Sequence, residues 1–186
     1  MTKVAVWCRH EGDNLIGTGA KLPWNIPSDK QFFIDLVKDQ NVVMGRLTYE
    51  SLPGKTLPDC QIMVLTSDYA YKVSDKANHS LVEDIRDLKD FDEDFYIAGG
   101  AKTYYAFMSG GPKLMPDIIV DCVYQGEINP ELKGEKIAIT PCIEILNKKY
   151  FKMFSSIPKD GVIRNLYIKR GDFVDQAVVK SILQML

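Results

Sequence analysis

The stretch VVMGRLTYESLP (residues 42–53) decides the fold class. It begins with a short apolar run that ends in Gly45 and continues into a polar segment that opens with Arg46 and Thr48. A continuous apolar run of this length is typical of a strand that is buried on both faces of a sheet. The stretch therefore predicts a strand followed at once by a short helix, which is the repeating unit of an α/β fold.

The same pattern recurs on both sides of this stretch. Further apolar runs rich in valine and isoleucine predict strands: KVAVWC (3–8), IMVLTS (62–67), FYIAGG (95–100) and DIIVDCVY (117–124). Helix-like segments occur between the runs, at 28–38, 81–88 and 101–109. Alternating strands and helices predict an α/β sheet with parallel crossovers.

The last third of the chain has a different pattern. The apolar segments YFKMFSS and VIRNLYIKR flank IPKDG (157–161), whose residues favour a hairpin turn and so predict antiparallel strands at one edge of the sheet. Residues 173–185 carry Val174, Val178, Ile182 and Met185 on one stripe. This stripe predicts an amphipathic helix that packs on the domain, with a dimer contact as the alternative. We expect one domain over 1–186, with a helical extension over about 172–186.

Composition excludes several classes of protein. With 186 residues and a formal net charge of −2, the chain has no overall charge that would attract nucleic acid or an anionic membrane. It has no run of eighteen apolar residues. Its four cysteines lie far apart and form no C-x-x-C pair, which predicts reduced thiols and no metal site. We therefore expect a cytoplasmic protein, most simply a monomer, whose partner is a small molecule.

A single acid, Asp29, stands among apolar residues in GAKLPWNIPSDKQFF (19–33). The spacing of Ser28 and Gln31 is that of a capping box, so Asp29 could simply stabilise the start of a helix. The long irregular segment 9–27, which delivers Trp24 to this helix, favours a functional role instead. Burial would raise the pKa of Asp29, and the positive end of the helix dipole would oppose that rise. A buried acid of this kind can hold an aminopyrimidine through two hydrogen bonds. Both interpretations remain open on the residues alone.

Two further strand ends carry residues suited to phosphate binding. Arg46 and Thr48 open a helix, where a guanidinium and a hydroxyl can bind phosphate, although a surface arginine would look the same. Gly99 and Gly100 allow the backbone to approach a pyrophosphate closely, although a tight turn would also use them. The G-x-G-x-x-G pattern is absent. Three such sites at strand ends predict one ligand-binding edge of an open α/β sheet.

The strings IGTGAKLPWNIPSDKQFF, VVMGRLTYESLP, IMVLTS and IAGGAKTYY occur in the order and spacing of the dihydrofolate reductase family. The chain resembles that family clearly over residues 1–127 and more loosely beyond them. The resemblance implies a mixed, mostly parallel sheet of eight strands with flanking helices. It also implies NADPH as cofactor and reduction of dihydrofolate to tetrahydrofolate, with hydride passing to pterin C6. The alternatives are reduction of another dihydropterin or of a riboflavin-pathway pyrimidine, or binding without catalysis.

The resemblance also implies site residues. Asp29 would bind the 2-amino group and N3 of the pterin, and Leu22 and Trp24 would belong to a mobile loop over the nicotinamide. The implied substrate-binding residues are Cys8, Asp29, Phe33, Ser51, Leu52, Leu57, Ala98, Tyr104 and Asp121. The implied cofactor-binding residues are Ile16, Gly17, Gly45, Arg46, Leu47, Thr48, Leu65, Thr66, Ser67, Ala98, Gly99, Gly100, Ala101, Lys102 and Thr103. Gly99 and Gly100 would be joined by a cis peptide.

Two positions depart from the family pattern. Cys60 stands where the family has an arginine that binds the α-carboxylate of the folate's glutamate. Asp121 aligns with a threonine that bonds to the site acid, and a second acid beside Asp29 would raise one of the two pKa values. The natural substrate is therefore either dihydrofolate or a dihydropterin that lacks the glutamate tail.

Overall fold

The structure, a computed structural model, describes residues 1–19, 21–74, 76, 78–131, 133–171 and 173–186. The strands are β1 (Lys3–His10), β2 (Leu15–Thr18), β3 (Asn41–Gly45), β4 (Gln61–Leu65), β5 (His79–Val82), β6 (Phe95–Ile97), β7 (Ile118–Tyr124), β8 (Lys136–Ala138), β9 (Tyr150–Ser155) and β10 (Val162–Lys169). The helices are α1 (Pro27–Val37), α2 (Arg46–Ser51), α3 (Ala101–Ser109), α4 (Thr140–Lys149) and α5 (Gln176–Met185), with 3-10 turns at Pro53–Lys55 and Ile85–Lys89.

Eight of these strands form one sheet in the order β5-β4-β3-β6-β1-β7-β10-β9. The pairings from β5 to β7 are parallel, whereas β10 runs antiparallel to both β7 and β9. β2 and β8 form a separate antiparallel pair. This arrangement confirms the predicted α/β class, the mixed and mostly parallel sheet, and the antiparallel hairpin at its edge.

Alternate residues of β1 face opposite sides of the sheet, as the pleat of a strand requires. The first core layer, beneath α1 and α5, includes Val4, Val6, Phe32, Leu36, Val179 and Ile182. The second core layer, beneath α3 and α4, includes Ala5, Trp7, Phe107, Met108 and Leu146. Because both faces of the sheet are covered, its central strands read as unbroken apolar runs.

The helix predicted at 81–88 is wrong. β5 occupies His79–Val82 and pairs with β4, and a 3-10 turn follows at Ile85–Lys89. Asp84 caps this turn, since its carboxylate accepts a hydrogen bond from the backbone N–H of Arg86 at 2.8 Å. The segment is short enough for its apolar spacing to fit either a helix or a strand with a turn.

The irregular loop predicted at 9–27 is also partly wrong. β1 continues to His10, and β2 lies within the segment and pairs with β8. Neither β8 nor α4 was predicted. β2 has four residues and β8 three, and their partners are distant in sequence, so local periodicity gives little signal for them.

The C-terminal helix is present, although it is shorter than predicted. It begins at Gln176, where the carboxylate of Asp175 accepts a hydrogen bond from Ala177 N–H at 2.7 Å. The predicted start of the extension at residue 172 falls outside the described residues. Val174 and Ile182 of the predicted stripe are buried, whereas Met185 is exposed. None of the helices in the described ranges is long and apolar enough to cross a membrane.

Candidate active site

Asp29 lies in the first turn of α1, which begins two residues earlier than a capping box would place it. Pro27 is the first helical residue and Ile26 the N-cap, with no side-chain cap. Proline suits this position because its φ is already helical and its missing N–H is not needed there. Ser28 is therefore inside the helix, and the predicted capping box is wrong. Within the described residues, neither the Ser28 hydroxyl nor Oδ1 of Asp29 has a hydrogen-bond partner.

Three strands present side chains to the Asp29 carboxylate. The thiols of Cys8 on β1 and Cys122 on β7 lie near it and favour its ionised form. From β10, Nη2 of Arg164 lies 3.6 Å from Oδ1. Burial raises the pKa of Asp29 above its ordinary value, and the Cys8 thiol, the Arg164 charge and the Cys122 thiol oppose that rise. The site thus holds a poorly solvated carboxylate with one buried oxygen left unbonded.

The two thiols beside Asp29 are neutral. Burial is the largest cause that raises the pKa of Cys8, and the nearby Asp29 carboxylate raises it further. Burial and Asp29 raise the pKa of Cys122 in the same way. Both residues therefore act as small, weak donors rather than as thiolates.

Asp121 does not lie beside Asp29, so that expectation is wrong. Its fully buried side chain faces the second core layer, where Oδ1 accepts hydrogen bonds from Trp7 Nε1 at 2.7 Å and Arg9 Nε at 2.8 Å. Oδ2 accepts a third, from Arg9 Nη2 at 3.0 Å. Successive side chains of a strand point to opposite faces, so an alignment shift of one residue exchanges Asp121 for Cys122.

The apolar residues predicted to bind the substrate, here called the apolar wall, lie in or against the first core layer. Cys8, Phe33, Leu52 and Ala98 are partly buried against the first core layer, to which the buried Leu57 belongs. These residues come from β1, α1 and the segments that follow α2 and β6. They can enclose a flat heterocycle whose polar edge meets Asp29.

Two polar residues predicted to bind the substrate make hydrogen bonds within the protein. The hydroxyl of Ser51 donates a hydrogen bond to Thr48 O of its own helix at 2.7 Å. Tyr104 belongs to the second core layer, and its hydroxyl donates to Val6 O at 2.6 Å. A Cβ atom built at Gly99 would come within 3.3 Å of that hydroxyl, so Tyr104 lies next to the glycine pair.

Cys60 is buried at the C-terminal end of α1. Its thiol lies 3.1 Å from both Val37 O and Pro58 O. Burial raises the pKa of Cys60 to about 11, and Asp59 and Asp39 add to the rise. The residue is therefore a neutral thiol that donates to two backbone carbonyl groups. It cannot replace an arginine as a carboxylate ligand.

The two residues predicted for the mobile loop differ in environment. Trp24 is buried and tilts against the ring of Tyr124, with centroids 5.2 Å apart. Its neighbour Pro23 accepts a hydrogen bond from Asn129 N–H at 3.1 Å, which ties the loop to the segment after β7. Leu22, by contrast, is 61% exposed. Trp24 thus anchors this segment to the body of the protein, whereas Leu22 faces solvent.

Glycines form a cradle at the carboxyl ends of β3 and β6. The Gly99–Gly100 peptide is cis, as the resemblance implied. Gly45 N–H donates to Gly99 O at 2.8 Å, which joins the two strand ends. A Cβ atom at Gly45 would lie 2.7 Å from Thr103 Oγ1, and one at Gly100 would lie 3.2 Å from Thr48 Oγ1. The glycines therefore let the two strand ends pack closely against Thr103 and Thr48.

The predicted cofactor-binding residues gather at this edge. They follow the parallel strands β3, β4 and β6, apart from Ile16 and Gly17 on β2. Ser67, Leu47 and Lys102 are exposed, Leu65 and Ala101 are half-buried, and Thr66 is buried. Polar donors and two cations around a glycine cradle fit the phosphates of a dinucleotide.

Arg46 is held by neighbours of several kinds. Its Nη1 atom lies 3.9 Å from Glu50 Oε1 and 3.8 Å from Asp68 Oδ2. Its guanidinium carbon lies 5.4 Å from the centroid of the Tyr71 ring. These contacts leave the side chain partly exposed and oriented beside the strand end, where it can reach a phosphate.

Sequence reasoning missed Cys122 and Arg164. Arg164 shares one face of β10 with Val162, Leu166 and Ile168, which all belong to the first core layer. A charged residue on an otherwise apolar strand face is a signal of a buried partner. That signal was present in VIRNLYIKR, although the identity of the partner was not.

Comparisons with known proteins agree with this geometry. A family model described as dihydrofolate reductase matches residues 3–141. The dihydrofolate reductase of Enterococcus faecium is 33% identical over 126 residues, which cover 67% of this chain and 74% of that protein. That of Lactococcus lactis is 26% identical over 136 residues, which cover 71% and 74%.

A solved structure shares the fold. It is that of the dihydrofolate reductase from Enterococcus faecalis complexed with NADP(H) and RAB-propyl. Its TM-score with this chain is 0.71 at 18% identity, and the match covers 91% of this chain and 96% of that one.

Proposed function

Because this chain belongs to the dihydrofolate reductase family, it is an NADPH-dependent oxidoreductase that reduces dihydrofolate, and we propose that Asp29 binds the pterin. The observation that carries the proposal is the buried carboxylate of Asp29, whose Oδ1 atom lies 3.6 Å from Arg164 Nη2 and has no hydrogen-bond partner in the described residues. A buried carboxylate oxygen without a hydrogen bond raises the free energy of the folded protein. A bound ligand that donates to it would remove this cost. The adjacent N–H groups of a 2-aminopyrimidine ring complement a carboxylate with two parallel hydrogen bonds.

The apolar wall supports the same role. Phe33, Leu52 and Leu57 would cover the faces of the ring and exclude water, which strengthens the interaction between Asp29 and the ring's donors. The reaction adds hydride at C6 and a proton at N5 of the pterin. Asp29 orients and polarises the ring, and movement of the exposed Leu22 would admit the water that carries the proton.

NADPH supplies the hydride from its nicotinamide ring when it is bound. We propose that Gly45, Gly99 and Gly100 let its pyrophosphate approach the backbone, and that Ile16 and Ala98 contact the nicotinamide. Arg46 and Ser67 would bind the 2′-phosphate, with Lys102 as a further cation. The backbone free of side chains at the carboxyl ends of β3 and β6 supports this placement.

The direct test is a turnover assay that follows the loss of NADPH absorbance. We expect turnover with dihydrofolate and none with the riboflavin-pathway pyrimidine, because Asp29 complements the pterin's donors. A purified, folded protein that binds the pterin but shows no turnover would make the chain a binding protein and contradict its assignment as an enzyme.

Arg46→Ala should weaken NADPH binding and leave NADH binding nearly unchanged. Loss of a charge-assisted hydrogen bond to phosphate costs about 1.5–3 kcal/mol, or about ten- to a hundredfold in Kd. Titration with each cofactor measures the two constants. The exposed Arg86, which pairs with Asp84, provides a control as Arg86→Ala. Equal loss for both cofactors would mean that Arg46 has a structural role through Glu50 and Asp68.

Cys60→Arg should raise kcat/KM for dihydrofolate by about ten- to a hundredfold, the value of a charged bidentate hydrogen bond. A dihydropterin without the glutamate tail should be barely affected, because only the tail carries the carboxylate. The wild-type protein should discriminate weakly between the two substrates. Cys60→Val, which also removes the thiol, should leave their ratio unchanged. If the wild type already prefers dihydrofolate a hundredfold, another residue, such as Lys55, binds the tail.

We further propose that the protein works in the cytoplasm as a monomer. All four cysteines are free thiols, three of them buried, as suits a reducing compartment. The apolar residues Val179 and Ile182 of α5 are buried in the core of their own chain, and α5 also packs against α1. These two residues therefore offer no surface to a second copy.

A further inference from the structure

Arg164 is a buried cation that the proposed function does not use. Its side chain is 6% exposed, and its guanidinium carbon lies 4.4 Å from the centroid of the Phe32 ring. Its Nε atom has no hydrogen-bond partner in the described residues. A guanidinium placed in an apolar layer is costly unless a charge compensates it. The carboxylate of Asp29, 3.6 Å from Nη2, is the group that does so.

Arg164 approaches Asp29 from the side away from the glycine cradle. Arg164 of β10 pairs with Cys122 of the neighbouring strand β7, and β7 lies between β10 and β1. The cradle and Ala98 follow β3 and β6, which lie on the other side of β1. The guanidinium therefore acts on the carboxylate from the β10 side, at 3.6 Å from Oδ1 and beyond hydrogen-bond distance, which leaves the β3 and β6 side for a ligand.

We propose that Arg164 is a positioning residue that holds the Asp29 carboxylate from the β10 side, opposite the glycine cradle. In this position it sets the pH above which reduction fails. The inference rests on the proposed role of Asp29 as the pterin ligand. It concerns Arg164 alone, which acts through Asp29 and touches neither substrate nor cofactor.

The electrostatics of the pocket support this role. The titratable groups that face Asp29 from β1 and β7 are the neutral thiols of Cys8 and Cys122. Asp121 lies on the opposite face of the sheet and is compensated by Arg9. Arg164 is thus the compensating charge in the described part of the pocket, and α1 itself adds the positive end of its dipole.

The reaction gives this charge a measurable consequence. Each turnover transfers hydride to C6 and takes up one proton at N5, so the rate falls as pH rises and that proton is lost. A nearby positive charge disfavours a bound proton whether it resides on Asp29 or on the pterin. Removing the charge should therefore extend turnover to higher pH.

Arg164→Met tests the proposal, because methionine fills a similar buried volume without charge. We expect the midpoint of the alkaline limb of kcat/KM for dihydrofolate to rise by about 1–3 pH units, the effect of an opposite charge at this distance. Arg164→Lys should restore the midpoint close to its wild-type value. Arg86→Met, which removes an exposed arginine, should leave it unchanged. An unchanged or lowered midpoint in folded Arg164→Met would overturn the inference and leave Arg164 a purely structural residue.

A second variant keeps the test decisive if Arg164→Met does not fold. In Asp29→Asn/Arg164→Met no carboxylate needs compensation, so we expect this double variant to fold. A double variant that also fails to fold would show that Arg164 is required for a reason unrelated to Asp29, against the inference. Full activity of Asp29→Asn alone would instead reject the proposed function, so the two failures can be told apart.

Discussion

Asp29→Asn should remove most turnover at neutral pH while the protein still folds and binds NADPH. An amide cannot serve as the anionic partner of the pterin's two donors. It also leaves the Arg164 guanidinium without its counter-charge, so the folded variant should be less stable than the wild type. The loss should be about 2–4 kcal/mol of transition-state stabilisation, or about 30- to 1,000-fold in kcat/KM. Steady-state kinetics with dihydrofolate at saturating NADPH measures it.

A matched control comes from the same helix. Asp35 is exposed on α1, and its carboxylate accepts a hydrogen bond from Gln31 at 2.8 Å. Asp35→Asn removes the same charge and should leave kcat/KM close to the wild-type value. If the folded Asp29→Asn variant were as active as Asp35→Asn, the acid of this enzyme would be another residue.

Asp121→Ala should be the most destabilising of these substitutions. It leaves the Trp7 N–H without its acceptor and the Arg9 guanidinium without its counter-charge, next to a new cavity. Breaking a buried ion pair by removing one partner typically costs about 3–5 kcal/mol in the free energy of unfolding. Equilibrium denaturation at fixed pH measures the change. Asp90→Ala, at the exposed ion pair with Lys113, should cost about 1 kcal/mol or less.

The same variant separates a structural role of Asp121 from a role in the site. Because Asp121 faces the second core layer and Asp29 the first, folded Asp121→Ala should keep its activity per folded molecule. Loss of activity at unchanged stability would contradict this assignment. It would place Asp121 in the substrate site after all.

The sequence predicts well those parts of the fold that depend on the pattern of apolar residues within a short segment. KVAVWC and NVVMG are continuous apolar runs, and they became β1 and β3 because both faces of the sheet are covered. β2 and β8 escaped prediction because three or four residues carry too little periodicity and each strand is defined by a distant partner. The cradle and Asp29 were predictable because short, specific strings surround them.

The positions of Cys122 and Arg164 beside Asp29 were not predictable in the same way. The choice between Asp121 and Cys122 depends on which face of β7 each side chain takes, and a single-residue shift in alignment reverses it. The contact of Arg164 with Asp29 joins the last strand of the sheet to the first helix. Such a contact is fixed by packing, and no local pattern encodes it.

The position of β1 also governs how the chain can fold as it is synthesised. β1 lies between β6 and β7, and β7 is in turn covered by β10. The first strand to leave the ribosome thus has no neighbour until Phe95–Ile97 emerges, and its second neighbour ends at Tyr124. Contacts so far apart in sequence make folding slow, and the unpaired apolar strand is exposed to aggregation in the meantime. Nascent chains of this protein therefore need shielding until the last third of the sequence has been made and β10 closes the sheet.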